Sequence, residues 1–201
     1  MSRSFCCAIC MAVFAGCVAS DSPTGIATSG STDFFPLKVG NKWYYSRYMH
    51  GVPADTTRVT HVVEVISATE SVQRPIYMML NWYFQEGSDS IWTVDTSYFM
   101  IEGDSLLSAY KDSAGFQFAV DAIFTLNNGA EFTREIGRGV NTAHFRVTVV
   151  GKNDSTITFF YDEPNWADEE HQVTYERGKG IVDSYSTAWG IGERLVKAEL
   201  K

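Results

Sequence analysis

Apolar and polar side chains alternate with a period of two along many short segments of this chain. In residues 59–65 a valine or histidine occupies every second position, and residues 116–124, 143–149 and 157–161 repeat the pattern with Phe, Val, Ile and Tyr. Turn-forming Gly, Asn and Asp residues separate such segments, as in residues 151–154. This period is typical of β-strands with one buried face. The chain is therefore predicted to be all-β and mostly antiparallel.

Helical periodicity is weak throughout the chain. No segment keeps a 3.6-residue apolar period across three turns, so at most one or two short helices are expected, near residues 109–115 or 162–170. A long meander of strands must protect its edges by closing on itself or by covering one face. The expected architecture is a curved meander sheet that forms a half-barrel or a barrel-like structure.

Residues 1–16 have the composition of a secretory signal peptide. Arg3 supplies a positive charge, residues 5–14 are apolar apart from thiols, and two small residues follow. The apolar run is shorter than the roughly 20 residues that span a bilayer. We expect this segment to direct export and to be removed.

The sequence F-A-G-C at residues 14–17 resembles the lipobox of bacterial lipoprotein precursors. The resemblance implies that Cys17 is acylated, with chains such as palmitate, and anchors the protein in a membrane of the cell envelope, the outer membrane being expected. Cleavage near Ala19 with release of a soluble protein, or an uncleaved signal, are the alternatives. Residues 17–32, rich in Ser, Thr, Gly and Ala, are predicted to form the lipidated start and a flexible tether.

The folded part is expected to cover residues 33–201 as a single β-rich domain. Its opening, residues 35–45, resembles the F-P-L-x-x-G-N-x-W-x-Y start of envelope lipoproteins from Bacteroidetes and related phyla, and the glycine pair of residues 178–182 resembles their closing motif. The resemblance implies a β-rich envelope lipoprotein and supplies no catalytic residues. Residues 35–43 and 124–132 also share one spacing of apolar residues and glycine. This shared spacing predicts two similar halves, with chance or similar turn chemistry as the alternative explanations.

Charge and composition narrow the possible functions. The net charge of −8 disfavours nucleic-acid partners. All four cysteines lie at or before Cys17, and the four histidines lack metal-ligand spacing, so no disulfide, metal or cofactor is expected. The acidic residues of 162–170 are predicted to form a solvated loop, with a weak calcium site as the alternative. No catalytic motif is present, so we expect no enzyme, although a hydrolase based on a carboxylate pair stays an alternative.

Aromatic residues crowd the first half of the predicted domain, and both faces of residues 42–49 carry rings. They form a core with cross-strand ring pairs, or a concave surface that binds a ligand. The candidate ligand-binding residues are Trp43, Tyr45, Trp82 and Trp92. The sequence thus favours a non-enzymatic, membrane-anchored envelope lipoprotein that binds a lipid, a glycan or another small apolar ligand. The alternative is a structural or assembly partner of another envelope protein.

Overall fold

Twelve antiparallel strands make up the part of the chain that the structure, a computed structural model, describes: residues 33–71, 74–85, 87–113, 115–137, 142–164 and 169–201. The strands are β1 (Lys42–Met49), β2 (His61–Ser71), β3 (Arg74–Phe84), β4 (Ile91–Glu102), β5 (Ser105–Asp112), β6 (Gly115–Ile123), β7 (Glu131–Ile136), β8 (Ala143–Lys152), β9 (Thr156–Asp162), β10 (His171–Glu176), β11 (Gly180–Ser186) and β12 (Ile191–Glu199). No helix occurs within these ranges, and so none is long and apolar enough to cross a membrane. The predicted all-β, antiparallel fold is confirmed.

The strands form one nearly closed, barrel-shaped sheet. Their order is β6-β5-β4-β3-β2-β1-β12-β11-β10-β9-β8-β7, so each half of the chain is a six-stranded meander. The halves join where β1 pairs with β12, from Lys42 opposite Glu199 to Met49 opposite Ile191. At the other junction β6 and β7 lie close together, but no backbone ladder joins them in the described part of the chain. The expected barrel-like meander is therefore present, with one side seam.

The helix expected near residues 109–115 is wrong. Ala109 lies in β5 opposite Tyr98 on one side and Phe118 on the other, and Lys111 lies opposite Phe116. Cross-strand packing of these rings outweighs the weak local helical propensity. Of the second expected helix, Asp162 ends β9, residues 163–164 and 169–170 are not helical, and residues 165–168 lie outside the described ranges.

The apolar core lies inside the barrel-shaped sheet. The segment that precedes β1 covers one end of this core. Phe34 and Phe35 of this segment are buried, and Phe35 stacks on the fully buried Trp43 with ring centroids 5.6 Å apart. The indole N–H of Trp43 donates to the backbone carbonyl of Lys179. Gly180 has a φ of 93°, and a Cβ there would lie 3.0 Å from the Trp43 indole nitrogen. The opening and closing motifs of the chain therefore meet around one tryptophan.

The two segments with repeated spacing form the same turn. The backbone N–H of Gly40 donates to the carbonyl of Val65 at 2.7 Å, and that of Gly129 donates to the carbonyl of Val149 at 2.8 Å. Both glycines have positive φ values, 88° and 80°. One turn leads into β1 and the other into β7, the first strands of the two meanders. An origin of the halves by duplication stays a prediction.

Side chains bridge the seam between β6 and β7. Arg134 of β7 places its Nε 2.6 Å from Oδ1 of Asp121 of β6, and Asp121 is buried. The Nε–H is not directed along this contact, so opposite charge supplies the attraction. The hydroxyl of Tyr161 donates to the backbone carbonyl of Asp121 at 2.7 Å, and the Arg134 guanidinium lies 5.9 Å from the centre of its ring. A buried ion pair thus replaces the missing ladder.

Candidate functional site

A cavity of about 370 Å³ lies inside the sheet, between β1–β4 on one side and β10–β12 on the other. The rings and aliphatic side chains of its apolar part include Phe35, Trp43, Met79 and Phe99. The polar side chains that face it include His61, Asn81, Asp95, Ser97, Ser184 and Glu193. Because side chains alternate along each strand, the polar residues occupy inner positions of strands whose other inner positions are apolar. The cavity therefore has an apolar part and a polar part.

His61 is at the centre of the polar part. Its side chain is buried, with Nδ1 2.8 Å from Oε2 of Glu193 and Nε2 3.4 Å from Oδ1 of Asn81. The imidazole stacks between two tyrosine rings, 5.5 Å from Tyr45 and 4.2 Å from Tyr83. The sequence pattern places His61 on the apolar phase of β2, and the structure confirms the hydrogen-bonded core histidine that this phase predicts.

Glu193 is the ionised partner in this cluster. Burial raises the pKa of its carboxyl, but the hydrogen bond and charge of His61, together with the charge of Arg47 at 3.7 Å, outweigh burial and lower that pKa overall. Glu193 is therefore a carboxylate at neutral pH. The hydrogen bond between Glu193 and His61 is strengthened because these side chains are largely shielded from water.

The neighbouring strands β3 and β4 add further hydrogen-bonding groups. The Asn81 amide donates to the hydroxyl of Ser97 at 3.0 Å, and Asp95 lies opposite Asn81 in the strand register. Burial raises the pKa of Tyr83, and the charges of Glu193 and Asp95 raise it further. The Tyr83 hydroxyl therefore stays protonated and able to donate a hydrogen bond.

His171 faces the cavity from the opposite wall. Its ring stacks on Tyr161 with centroids 4.6 Å apart, and its Nδ1 lies 3.0 Å from the carbonyl oxygen of Glu169. Burial lowers the pKa of this imidazole, so it is neutral at neutral pH. Among the residues that the structure describes, no three His, Cys, Asp or Glu side chains cluster in a way that could hold a metal ion.

The four aromatic residues predicted from the sequence do not form one site. Trp43 and Tyr45 both line the interior cavity, and both are buried. Trp82 lies on the outer face of the sheet, between Val62 and Val94 in the register. Trp92 is 71% exposed and lines an outer groove near the connection from β1 to β2. The predicted lipidation residue, Cys17, lies outside the described residues.

Sequence reasoning missed the polar groups of the cavity. Asn81, Ser97, Ser184 and Glu193 belong to no motif, and each is an ordinary residue in isolation. The sequence feature that could have revealed each of them is a polar residue at an inward-facing position of a strand. It can be recognised only after the inward-facing residues of every strand have been assigned. Their convergence depends on pairing between distant strands.

Two grooves of about 620 Å³ each accompany the interior cavity. One lies near the β1–β2 connection and includes Met49, Val52 and Trp92, and the other lies beside the segment that precedes β1. Both are larger than the interior cavity. The interior cavity is the better candidate site because several aromatic and polar groups converge on it from two walls.

Comparison with known proteins supports the fold. The structure is similar to that of a predicted exported protein with a YmcC-like fold from Bacteroides fragilis, with a TM-score of 0.50 and 12% sequence identity over 83% of this chain and 98% of that chain. It is also similar to a predicted lipoprotein from Parabacteroides distasonis, with a TM-score of 0.46 and 12% identity over 84% of this chain and 99% of that chain. No protein-family model matches the chain, and no curated protein matches it in sequence. The first similarity shows a shared fold.

Proposed function

We propose that this protein is a non-enzymatic binding module of the bacterial cell envelope that takes a small ligand into its interior cavity. The observation that carries the proposal is the cavity itself, of about 370 Å³, with rings at one part and hydrogen-bonding groups at the other. This volume lies within the roughly 300–1,000 Å³ of ligand pockets. The predicted export signal and the fold shared with a predicted exported protein support an envelope location.

Asp33, the first residue after the predicted tether, lies at one end of the sheet. Asp33 lies beside the β10–β11 turn, where its carboxylate pairs with Arg177 at 3.1 Å and its carbonyl accepts the N–H of Gly178. The polar residue Asp95 lies near the other end of the sheet, close to the turn that joins β3 and β4. The predicted tether therefore joins the domain at the end of the sheet opposite to the polar part of the cavity.

Lipidation at Cys17 is tested by changing the residue that receives the acyl chains. Cells that express the wild-type chain and take up an alkyne-bearing fatty acid should yield a labelled, membrane-bound protein. The Cys17→Ser variant should be unlabelled, because a serine hydroxyl lacks the thiolate nucleophile. The Cys10→Ser variant is the control and should be labelled like the wild type. Equal labelling and membrane retention of Cys17→Ser would exclude the proposed anchor.

Ligand binding inside the sheet is tested by filling the cavity. Ser184 faces the cavity between Val173 and Glu193 in the register, and its hydroxyl makes no hydrogen bond within the described residues. We expect Ser184→Phe to fold, since a ring enters existing space, but to lose its ligand. Gln172→Phe, which changes an outward-facing residue of the adjacent strand, should keep it.

The readout is native mass spectrometry of each protein purified from its own cells. The wild type and Gln172→Phe should carry an additional small mass that Ser184→Phe lacks. A small mass that persists in Ser184→Phe would place the ligand elsewhere, and its absence from all three proteins would count against a bound ligand.

A role as an assembly partner is the second candidate function, and exposed apolar residues favour it. Trp92 and Trp189 are each 71% exposed, and Met49 is 61% exposed. All three lie at or next to the connections at one end of the sheet. An additional mass of protein size in the same spectra, lost in Trp92→Ser, would support this function instead.

A further inference from the structure

The polar part of the cavity contains more hydrogen-bonding capacity than the protein itself uses. The Ser97 hydroxyl accepts from Asn81 and still has a proton to donate. The hydroxyls of Tyr83 and Ser184 make no hydrogen bond within the described residues. One oxygen of Asp95 accepts the backbone N–H of Thr96 at 2.7 Å, which leaves the other oxygen as an acceptor. The polar part of the cavity therefore contains donors and acceptors that the described residues leave unused.

The charge of this surface disfavours anions. Two carboxylates, Asp95 and Glu193, face the cavity, whereas Arg47, the cation next to Glu193, is already paired with it. His171 adds no positive charge at neutral pH, because burial lowers its pKa. An anionic head group bound here would lie beside the unpaired charge of the exposed Asp95, which repels it. Fatty acids and phospholipid phosphates are therefore poor ligands, and the protein's net charge of −8 adds to their repulsion.

Aromatic rings and a thioether form the wall of the apolar part of the cavity. Phe99 is half-buried and offers ring surface to the cavity, whereas Trp43, Phe35 and Met79 are almost fully buried in that wall. Such surfaces pack against the C–H face of a pyranose ring, while the hydroxyls at the edge of that ring each both donate and accept hydrogen bonds. The volume of about 370 Å³ is at the small end for ligand pockets, which suits one or two sugar rings.

We infer that the ligand of the interior cavity is a neutral saccharide of one or two rings, bound through hydroxyl contacts to Asp95, Ser97 and Tyr83. This inference rests on the proposed function, since it names the class of ligand for the same cavity. The saccharide lies with its apolar face toward the buried rings and its hydroxyls toward the paired His61 and Glu193. An acyl chain would fill the apolar part but would leave the polar groups without partners, which costs free energy for each group.

The test uses saturation-transfer NMR on the full chain carrying Cys17→Ser, which keeps the complete sequence without the proposed lipid. The probes are cellobiose, maltose, N,N′-diacetylchitobiose and palmitate, each tested alone and the sugars also in competition with palmitate. We expect at least one sugar to receive saturation from the protein and palmitate not to displace it. Asp95→Leu should weaken that sugar about fivefold or more, as expected for the loss of one hydrogen bond. Asp89→Leu, in the exposed turn before β4, is the matched control and should leave binding unchanged.

The outcomes separate this inference from the proposed function. Saturation of palmitate that disappears in Ser184→Phe, with none for any sugar, would overturn the saccharide inference and leave cavity binding intact. Sugar binding that is equal in wild type and Asp95→Leu would also overturn it. If no probe binds and the native mass spectra show no small mass, the proposed function fails as well.

Discussion

Replacing Trp43 with alanine is expected to lower the free energy of unfolding by about 3–5 kcal/mol. Trp43 is fully buried, stacks on Phe35, and donates its indole N–H to the carbonyl of Lys179. Alanine would leave a large void and a carbonyl without its partner, and relaxation of the closely packed sheet cannot fill the space. Because a domain has only about 5–15 kcal/mol of stability, the variant should be poorly folded. Urea unfolding followed by circular dichroism measures the change.

Trp189→Ala is the control for this loss, because Trp189 is 71% exposed in the turn before β12. Its stability should stay within about 0.5 kcal/mol of the wild type. A Trp43→Ala protein that unfolds like the wild type but no longer carries its ligand would contradict the core role. Trp43 would then be chiefly a wall of the binding site.

Replacing Arg134 with methionine is expected to cost about 3–5 kcal/mol, because it leaves the buried carboxyl of Asp121 without its ionic partner. The pair bridges the seam where β6 and β7 have no ladder, so the loss should also loosen the closure of the sheet. Urea unfolding gives the stability, and hydrogen exchange of the β6 and β7 amides should accelerate more than that of β1 and β12. Equal stability of Arg134→Met and wild type would show that the pair does not hold the seam.

Arg146→Met is the matched control on the neighbouring strand. Arg146 pairs with Asp162 on the outer face and is 57% exposed, so its loss should cost at most about 1 kcal/mol. Asp121→Asn combined with Arg134→Met should recover part of the stability, because no buried charge is then left alone.

The pH dependence of Arg134→Met follows from the buried carboxyl. Burial raises the pKa of Asp121 in the folded protein above its value of 3.8 in the unfolded chain, although Arg134 opposes this shift. The folded state then holds the proton more tightly, so the contribution of Asp121 to stability falls as pH rises from the unfolded value through the raised one. Without Arg134 this decrease should be larger. The deficit of Arg134→Met should therefore be greatest at neutral pH and smaller in acid.

The fold class could be predicted from the sequence because each strand carries its own local signal. Period-two alternation in residues 143–149 and 157–161 directly reports one buried face, and both segments are strands. The pairing of β1 with β12 could not be predicted, since it joins Lys42 to Glu199 and no local signal reports such a contact. The helix prediction near residues 109–115 failed because pairing with the adjacent strands β4 and β6 outweighs the weak helical propensity of this segment.

The motifs at residues 35–45 and 178–182 were visible in the sequence, but their contact in the folded domain was not. Gly180 leaves the space that the Trp43 indole occupies, and the Lys179 carbonyl next to it accepts the indole N–H. The two motifs meet in the structure because β1 pairs with β12, and β12 pairs in turn with β11. The two motifs pack together at the end of the sheet that the segment before β1 covers. This packing explains their residue types without any catalytic function.

The candidate site could be predicted only in part. Trp43 and Tyr45 share the inner phase of β1, so alternation alone brings both to the cavity. Trp82 lies on the outer phase of β3, and Trp92 lies next to a bulge that shifts the register. Aromatic content alone does not show which face of a strand a ring lies on. Glu193 reaches the cavity only because β12 lies beside β1.

A crystal structure of the protein purified from its own cells, with its ligand retained, tests cavity binding most directly. We expect electron density inside the sheet, between the rings around Trp43 and the polar groups at Asp95 and Ser97, with the shape of a small saccharide. Ligand density in the outer groove beside Trp92, with the interior cavity holding only water, would contradict binding inside the sheet.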